Sequence, residues 1–261
     1  MAENTFKKIV KNSDYKLSSF SSRLSAYLIA VLLPQKHWYM AAYRVCSFMS
    51  YFSKQVIIGN LPYRYQKAFS LNRLLSLITR TGKSYPIPII FTGKEHLLPN
   101  NEGLIICSVH LPLVKAGVGI LLDEGLFVDV ALAALPSESG VMPFWGTSKL
   151  VKSLKTDANV LLKIKSILKE KGNVLAMIDS GKYLLWKSIS PNMMHFCGKV
   201  GSRVVFLFVS LTDNHVLNAS IVSPPFPYCK TNEEVEKNVE FMRQERDAIL
   251  LSYKATYSMK G

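Results

Sequence analysis

Short runs of apolar residues, separated by amphipathic stretches, fill the chain from residue 85 onwards. Five runs have the continuous apolar character of buried strands: 87–91, 104–109, 127–133, 174–178 and 204–209. The longest of them has seven residues, which is a typical length for a strand and too short for most helices. We therefore predict five buried strands in this part of the chain.

Helices are predicted between and after these runs. One covers 112–123 and stops before Gly125, and a second follows Asp157, a residue that can cap a helix. A long third helix follows Thr231, whose spacing from Glu234 is that of a capping box. Strands that alternate with helices in this way predict an α/β fold with a mostly parallel sheet flanked by helices.

The N-terminal part of the chain has another pattern, and we assign 1–84 to a helical region ahead of an α/β domain over 85–261. An eight-residue apolar run at 26–33 ends at Pro34, and an aromatic-rich stretch covers 38–52. Both predict amphipathic helices that are too short to span a membrane, which takes about 20 apolar residues. Aromatic-rich helices beside Lys and Arg are typical of attachment to the membrane interface. The alternative is that these helices cover the core of a soluble domain.

The chain is strongly basic. Among its 261 residues, 32 Lys and Arg oppose 18 Asp and Glu, and the difference, 32 − 18, is +14. Such a charge indicates an anionic partner, which can be nucleic acid, an anionic membrane surface or an acidic protein or substrate. No zinc-finger, helix-turn-helix or RNA-recognition motif occurs, so we expect no nucleic-acid partner. We expect a cytoplasmic protein attached peripherally to the inner face of the cell membrane through residues 1–55.

The cysteines give no sign of a disulfide framework or a zinc module. They lie far apart, and no two have CxxC spacing: Cys46, Cys107, Cys197 and Cys229. We interpret them as core thiols in a reducing compartment. No HExxH motif or paired Cys/His set is present either, so we expect neither a metal ion nor a cofactor.

The most informative position is His110. The strand predicted at 104–109 runs directly into it, and a predicted helix follows. Ligands of open α/β sheets bind beyond the carboxyl ends of the strands, so His110 lies where a reactive group is expected. The positive end of a helix dipole would also keep the imidazole neutral, as a general base must be. The motifs GxSxG, GxxxxGK and GxGxxG are absent, which argues against a serine hydrolase, a P-loop and a dinucleotide site.

Two further segments place polar side chains in turns. One spans 143–149 and contains Trp145, Gly146, Thr147 and Lys149. The other follows the strand predicted at 174–178 and reads Asp179, Ser180, Gly181, Lys182. Because parallel strands end at the same edge of a sheet, we expect Asp179 to lie on the same edge as His110.

In the order and spacing of these segments, the chain resembles the lysophospholipid acyltransferase superfamily, nearest to its branch of lipid A late (lauroyl/myristoyl-type) acyltransferases. The resemblance covers roughly residues 85–215. It matches His110 to the His of the H-x4-D/E motif, 144–149 to the acceptor-binding block, and 179–182 to the acidic-Gly-basic block. It implies a glycerolipid acyltransferase-like fold with two catalytic residues, His110 and Asp179. The substrate-binding residues that it implies are Lys115, Trp145, Gly146, Thr147, Lys149, Gly181 and Lys182.

The chain departs from this family at Lys115, which occupies the acidic position of the H-x4-D/E motif. A lysine cannot orient the imidazole or stabilise its cation, as a carboxylate does. Either another carboxylate replaces it, with Asp179 preferred to Asp129 or Glu138, or the site has lost its activity.

The resemblance implies acyl transfer from a thioester of acyl carrier protein or coenzyme A to a hydroxyl or amine of a lipid or specialised metabolite. His110 would act as the general base. The alternative, for which Lys115 is the main evidence, is a catalytically degenerate acyltransferase fold. Such a protein would bind an acyl lipid or a carrier protein as the partner of an active enzyme.

Overall fold

Eight strands form one mixed sheet in this computed structural model, which describes residues 14–53, 63–97, 102–126, 128–133, 140–179, 188–212 and 214–253. The strands are β1 (Ile89–Thr92), β2 (Leu104–Ser108), β3 (Val130–Ala133), β4 (Val141–Pro143), β5 (Leu150–Lys155), β6 (Asn173–Met177), β7 (Arg203–Leu211) and β8 (Leu217–Val222). Their order is β1-β8-β7-β2-β6-β3-β5-β4. The five central strands from β7 to β5 are parallel, β8 and β4 are antiparallel to their inner neighbours, and β1 is parallel to β8. The sheet is mostly parallel, as predicted.

Each of the five predicted apolar runs overlaps a strand. β2 and β7 are almost entirely buried because helices cover both faces of the sheet. The prediction of a buried strand at 87–91 is wrong, because β1 is an edge strand of the sheet and Ile90 and Thr92 are exposed. The sequence prediction missed β4, β5 and β8. β8 alternates buried and more exposed positions, and β5 carries polar residues, so neither has the continuous apolar run used as the signal.

The helices in the described ranges are α1 (Asp14–Leu32), α2 (Trp38–Ser53), α3 (Tyr63–Thr79), α4 (Val114–Asp123), α5 (Val160–Lys169), α6 (Asn192–Val200) and α7 (Asn232–Ser252). The capping box predicted for α7 is confirmed: the Glu234 N–H donates to the Thr231 hydroxyl, and the Glu234 carboxylate accepts from the Thr231 N–H. Asp157 lies further from its helix than predicted. Its carboxylate accepts from the N–H of Asn159, the residue that precedes α5.

Helices lie on both faces of the sheet. On β7, Val209 lies against Gly117 of α4, whereas Phe206 stacks on Phe241 of α7 with ring centroids 6.2 Å apart. Positions 206 and 209 differ by an odd number, so their side chains point to opposite faces of the strand. The molecule therefore has three layers, helix, sheet and helix, with α4 and α7 in the two outer layers.

The N-terminal helices share one hydrophobic core with the sheet. Among their fully buried side chains are Trp38, Tyr39, Leu71 and Leu75. The Tyr39 hydroxyl donates to the His215 carbonyl at 2.5 Å and so connects α2 to the turn before β8. No helix in the described part of the chain is both long enough and apolar enough to cross a membrane.

Candidate active site

The parallel register of two neighbouring strands brings His110 and Asp179 together. β2 and β6 are hydrogen-bonded along their length, and the last pair of the ladder is Ser108 with Met177, 177 − 108 = 69 positions apart. The same offset of 69 separates Asp179 from His110, two residues beyond the ladder. Both side chains therefore leave the carboxyl ends of adjacent strands at the same height.

The imidazole and the carboxylate form a close pair. His110 Nδ1 lies 2.6 Å from Asp179 Oδ1, and the His110 backbone N–H donates to both carboxylate oxygens at 3.0 Å each. A carboxylate accepts hydrogen bonds, so in the neutral imidazole this contact selects the tautomer with the proton on Nδ1 and the lone pair on Nε2. The Asp179 side chain is only 12% exposed, whereas the His110 side chain is 51% exposed. The base is thus accessible and its carboxylate is not.

Residues 189 and 190 hold the backbone at Asp179 in place. Asp179 forms an isolated antiparallel bridge with Ile189, and the Ser190 N–H donates to the Ile178 carbonyl at 2.7 Å. The Ile178 N–H also donates to the Ser108 carbonyl at 2.9 Å, so the backbone that leads into Asp179 is held on both of its neighbouring chain segments and the carboxylate has little freedom to leave the imidazole.

The two residues also lie at a topological switch point of the sheet. After β2 the chain passes through α4 to β3, which lies on the far side of β6 in the sheet. After β6 it passes through α6 to β7, which lies on the far side of β2. The connections therefore leave these adjacent strands in opposite directions across the sheet. Open α/β sheets bind ligands at such switch points.

The chain between His110 and α4 differs from the prediction. The helix begins at Val114 and not at residue 112, because Leu113 adopts a left-handed conformation, with φ 73°, in the turn that leads into it. His110 consequently lies four residues before the helix. The carboxylate of Asp179, and not the first turn of α4, is the group that contacts the imidazole.

Tyr65 of α3 is a neighbour of the pair that sequence reasoning missed. Its side chain is 7% exposed, and burial together with the nearby charge of Asp179 raises the pKa of its phenol. Tyr65 therefore keeps its proton across the neutral range. It lies far from 104–179 in sequence, and no local pattern marks it.

Lys115 does not pair with a carboxylate in the described part of the chain. Its Nζ lies 4.9 Å from the centre of the Trp145 ring, a cation–π contact, and burial lowers the pKa of the amine. Position 115 therefore holds a half-buried cation over an aromatic ring.

Replacing Lys115 with Met, which keeps length and apolar contact, is expected to raise the melting temperature at pH 7. Burial disfavours the charged amine, so the folded-state pKa lies below the ordinary 10.5. At a pH between the folded-state and the unfolded-state pKa, the Lys115 amine is protonated in the unfolded chain but not in the folded chain. The wild type therefore gains stability as the pH rises through this range. Thermal unfolding of both proteins from pH 7 to above 10.5 should show the difference shrinking. A Lys115→Met protein that is less stable by the same amount at every pH would contradict this account.

The segment 143–149 packs along α4. The Trp145 N–H donates to the Lys115 carbonyl at 3.2 Å, and the Trp145 indole N–H donates to Asn72 of α3 at 2.8 Å. Further along, the Thr147 hydroxyl donates to Asp123, and Lys149 Nζ donates to the Leu122 carbonyl at the end of α4.

Three of the proposed substrate-binding residues, Trp145, Gly146 and Thr147, are packed against neighbouring parts of the protein. Trp145 and Thr147 are buried, and Gly146, with φ 87°, lies against Ile87 where a Cβ would approach within 2.9 Å. The structure brings Lys115 and Trp145 together, while Thr147 and Lys149 lie at the far end of α4. Gly181 and Lys182, with Ser180, lie outside the described residues.

The alternative carboxylate Asp129 lies at the other edge of the sheet. It precedes β3, and its Oδ2 accepts from the Asn173 N–H at the start of β6, at 2.7 Å. Six residues of strand separate this point from Asp179, a distance of roughly 20 Å at about 3.3 Å per residue. Asp129 is therefore too far away to orient His110. Glu138 lies outside the described residues.

A cavity of about 250 Å³ lies at this same edge of the sheet, where the parallel strands begin. The residues that line it include Gly103, Lys169 and Ser202. Its lining contains no histidine, so it lacks the chemistry of the His110–Asp179 pair.

No protein nucleophile contacts the imidazole in the described part of the chain. Ser108 is fully buried, and its hydroxyl donates to the Leu207 carbonyl at 2.6 Å. All four cysteines are buried free thiols, and burial raises the pKa of each, that of Cys46 to about 12. The pair is thus arranged to deprotonate a substrate group or water, and not a serine or cysteine of this region.

Within the described ranges, no group of three or more His, Cys, Asp or Glu side chains could hold a metal ion. Comparison with known proteins adds no assignment: no protein-family model matches the sequence, and no curated protein is similar to it at a significant level. What the site can do is therefore inferred from its own geometry, an accessible imidazole base oriented by a buried carboxylate at the switch point of a parallel sheet.

Proposed function

We propose that the chain is an acyltransferase with a glycerolipid acyltransferase-like fold. It transfers an acyl chain from a thioester of acyl carrier protein or coenzyme A to a hydroxyl or amine acceptor. The observation that carries the proposal is the His110–Asp179 pair, with Nδ1 bound to the carboxylate and Nε2 left for a substrate. The resemblance in segment order around His110 supplies the reaction class.

In the proposed reaction, His110 Nε2 takes the proton of the acceptor hydroxyl or amine as that group attacks the thioester carbonyl carbon. The new C–O or C–N bond forms and the C–S bond breaks. The departing thiolate then takes up the proton that the imidazole carries. Asp179 is the positioning residue, since it holds the imidazole in the Nδ1–H tautomer and stabilises its cation. Backbone N–H groups at the start of α4 can stabilise the developing oxyanion. General base catalysis of this kind typically contributes about 10²–10⁴-fold.

The acyl donor fits the charge of the chain. Acyl carrier proteins are acidic and coenzyme A carries phosphates, whereas this chain has a net charge of +14. Opposite charges speed the encounter of enzyme and donor, and salt weakens the effect.

Alkylation of the thiols with N-ethylmaleimide is expected to leave the transfer rate unchanged. All four cysteines are buried and their raised pKa values keep them protonated, so the native protein has no reactive thiolate. Intact-mass measurement should find label only after unfolding. Loss of activity in step with labelling of the native protein would point instead to a cysteine nucleophile.

A second candidate is a degenerate acyltransferase fold that binds an acyl lipid or carrier protein without turnover. It rests on Lys115, which replaces the carboxylate of the family motif. Asp179 argues against this second candidate, because its carboxylate contacts His110 Nδ1 and can take the place of the acidic residue missing at position 115. Single-turnover reactions with carrier-protein and coenzyme A thioesters separate the two: the enzyme transfers the acyl group, whereas the degenerate protein binds the donor and leaves the thioester intact.

A further inference from the structure

The second half of α1 exposes an apolar stripe. Leu24 is 47% exposed, Tyr27 64%, Leu28 42%, Val31 60% and Leu32 69%. The spacings of three, four, seven and eight residues from Leu24 place all five side chains on one side of a helix. We call these five residues the α1 stripe.

The other side of the same helix is buried. Ala26 and Ile29 are each 5% exposed and belong to the core that the helix shares with α2 and α3. α1 is therefore apolar on both sides over this stretch, whereas a helix on the surface of a water-soluble protein normally carries polar residues on its outer side. A contiguous exposed apolar surface of this kind marks a binding site for protein or membrane.

The charge around the stripe identifies the partner. Between Asp14 and Glu95 the chain contains no Asp or Glu, and it contains eleven basic residues: Lys16, Arg23, Lys36, Arg44, Lys54, Arg64, Lys67, Arg73, Arg80, Lys83 and Lys94. This segment alone carries +11 of the total charge of +14.

Three of these cations are exposed and lie on α1, just after it, or on the next helix, α2. Arg23 precedes Leu24, Lys36 follows the end of α1, and Arg44 lies one turn before Phe48, itself 66% exposed, on α2. In the described part of the chain none of the three forms an ion pair. An apolar surface on a segment whose charged residues between Asp14 and Glu95 are all basic matches an acyl layer beneath anionic head groups, and it matches poorly a second copy of the same basic segment.

We propose that the α1 stripe docks the protein on the surface of a bilayer that contains anionic lipids, with α1 lying in the interface and Arg23, Lys36 and Arg44 contacting the head groups. Basic residues add electrostatic attraction to a helix that inserts its apolar side into the interface. The proposal concerns binding and does not rest on the acyltransferase assignment.

The test measures co-sedimentation of the full chain with phosphatidylcholine vesicles, with and without phosphatidylglycerol. The stripe variant is Tyr27→Ser/Val31→Ser/Leu32→Ser, and its matched control is Leu161→Ser/Leu162→Ser, which alters exposed leucines of α5. The charge variant is Arg23→Gln/Lys36→Gln/Arg44→Gln. Its control, Lys163→Gln/Lys165→Gln/Lys169→Gln, removes the same charge from exposed positions of α5.

We expect the wild type to bind the anionic vesicles, and the stripe variant to lose that binding at any salt concentration. The charge variant should bind about 100-fold more weakly, since each of the three basic residues near an anionic surface contributes about fivefold. Both control variants should bind like the wild type, and circular dichroism should show that all four variants fold.

Three results would overturn the proposal. The first is a stripe variant, or a charge variant, that binds anionic vesicles as tightly as the wild type. The second is a wild type that does not bind and elutes as a dimer that the stripe variant converts to a monomer, since the stripe would then join two copies of the chain. The third is a monomeric wild type that does not bind vesicles, a result that would leave the chemistry of His110 unaffected.

Discussion

Replacing His110 with Ala is expected to lower the rate of acyl transfer by about 10²–10⁴-fold, because the only proposed base is lost. Asp179→Asn should cost a similar factor in kcat with little change in KM. An asparagine can still accept the His110 backbone N–H through Oδ1, so the loop keeps its anchor. Its amide N–H, however, would donate to Nδ1 and force the proton onto Nε2, where it blocks the base.

The double variant distinguishes a working pair from two independent residues. If His110 and Asp179 act as one unit, His110→Ala/Asp179→Asn should be only slightly slower than either single variant. The matched control is Asp129→Asn, which also removes a carboxylate that accepts a backbone N–H, but at the start of β6 and thus at the opposite edge of the sheet. Asp129→Asn should keep the wild-type rate. An Asp179→Asn enzyme with wild-type kcat would remove Asp179 from the mechanism, and multiplicative losses in the double variant would show that the two residues act separately.

Gly119→Ala is expected to destabilise the fold by a net amount of about 2 kcal/mol. A Cβ at this position of α4 would lie 2.1 Å from the Trp145 carbonyl oxygen and close to two further backbone atoms of that residue. Backbone cannot move aside as a side-chain end can, so α4 and the segment 143–149 must separate, and overpacking of this kind typically costs about 1–3 kcal/mol or more. The better helix propensity of alanine offsets about 1 kcal/mol of this cost.

Urea unfolding of Gly119→Ala beside Gly201→Ala separates steric conflict from the loss of a glycine. Gly201 has φ 69° and no atom within 4 Å of the position that a methyl group would take, so alanine there meets only backbone strain of about 1 kcal/mol. The free energy of unfolding should fall clearly further for Gly119→Ala. Equal losses in the two variants would mean that α4 does not pack against the Trp145 backbone as described.

The placement of His110 and Asp179 at one edge of the sheet could be predicted because two strong local signals define it. The runs before His110 and before Asp179 are buried strands with continuous apolar character, and parallel strands end at the same edge of a sheet. The sequence predicted the common edge but not that β2 and β6 are neighbours, since apolar runs carry no information about strand order. The order β7-β2-β6-β3 makes the two residues adjacent.

The environment of Lys115 and the packing of 143–149 could not be predicted. Lys115 lies over Trp145 because Gly119 lets the segment approach α4, and this contact joins parts of the chain about 30 residues apart. Likewise, Tyr65 lies near Asp179 only because α3 packs against the sheet. The start of α4 was predicted two residues early, since the left-handed conformation of Leu113 has no glycine or asparagine to signal it.

A single-turnover reaction with an isotope-labelled acyl thioester, run with wild type and His110→Ala and read by mass spectrometry of donor and products, tests the central claim most directly. Donors on acyl carrier protein and on coenzyme A are each combined with a panel of hydroxyl and amine acceptors, lipids included. The account predicts that the wild type moves the label from the thiol to an acceptor and that His110→Ala does so at least about 100-fold more slowly. Transfer by His110→Ala at the wild-type rate would contradict the account.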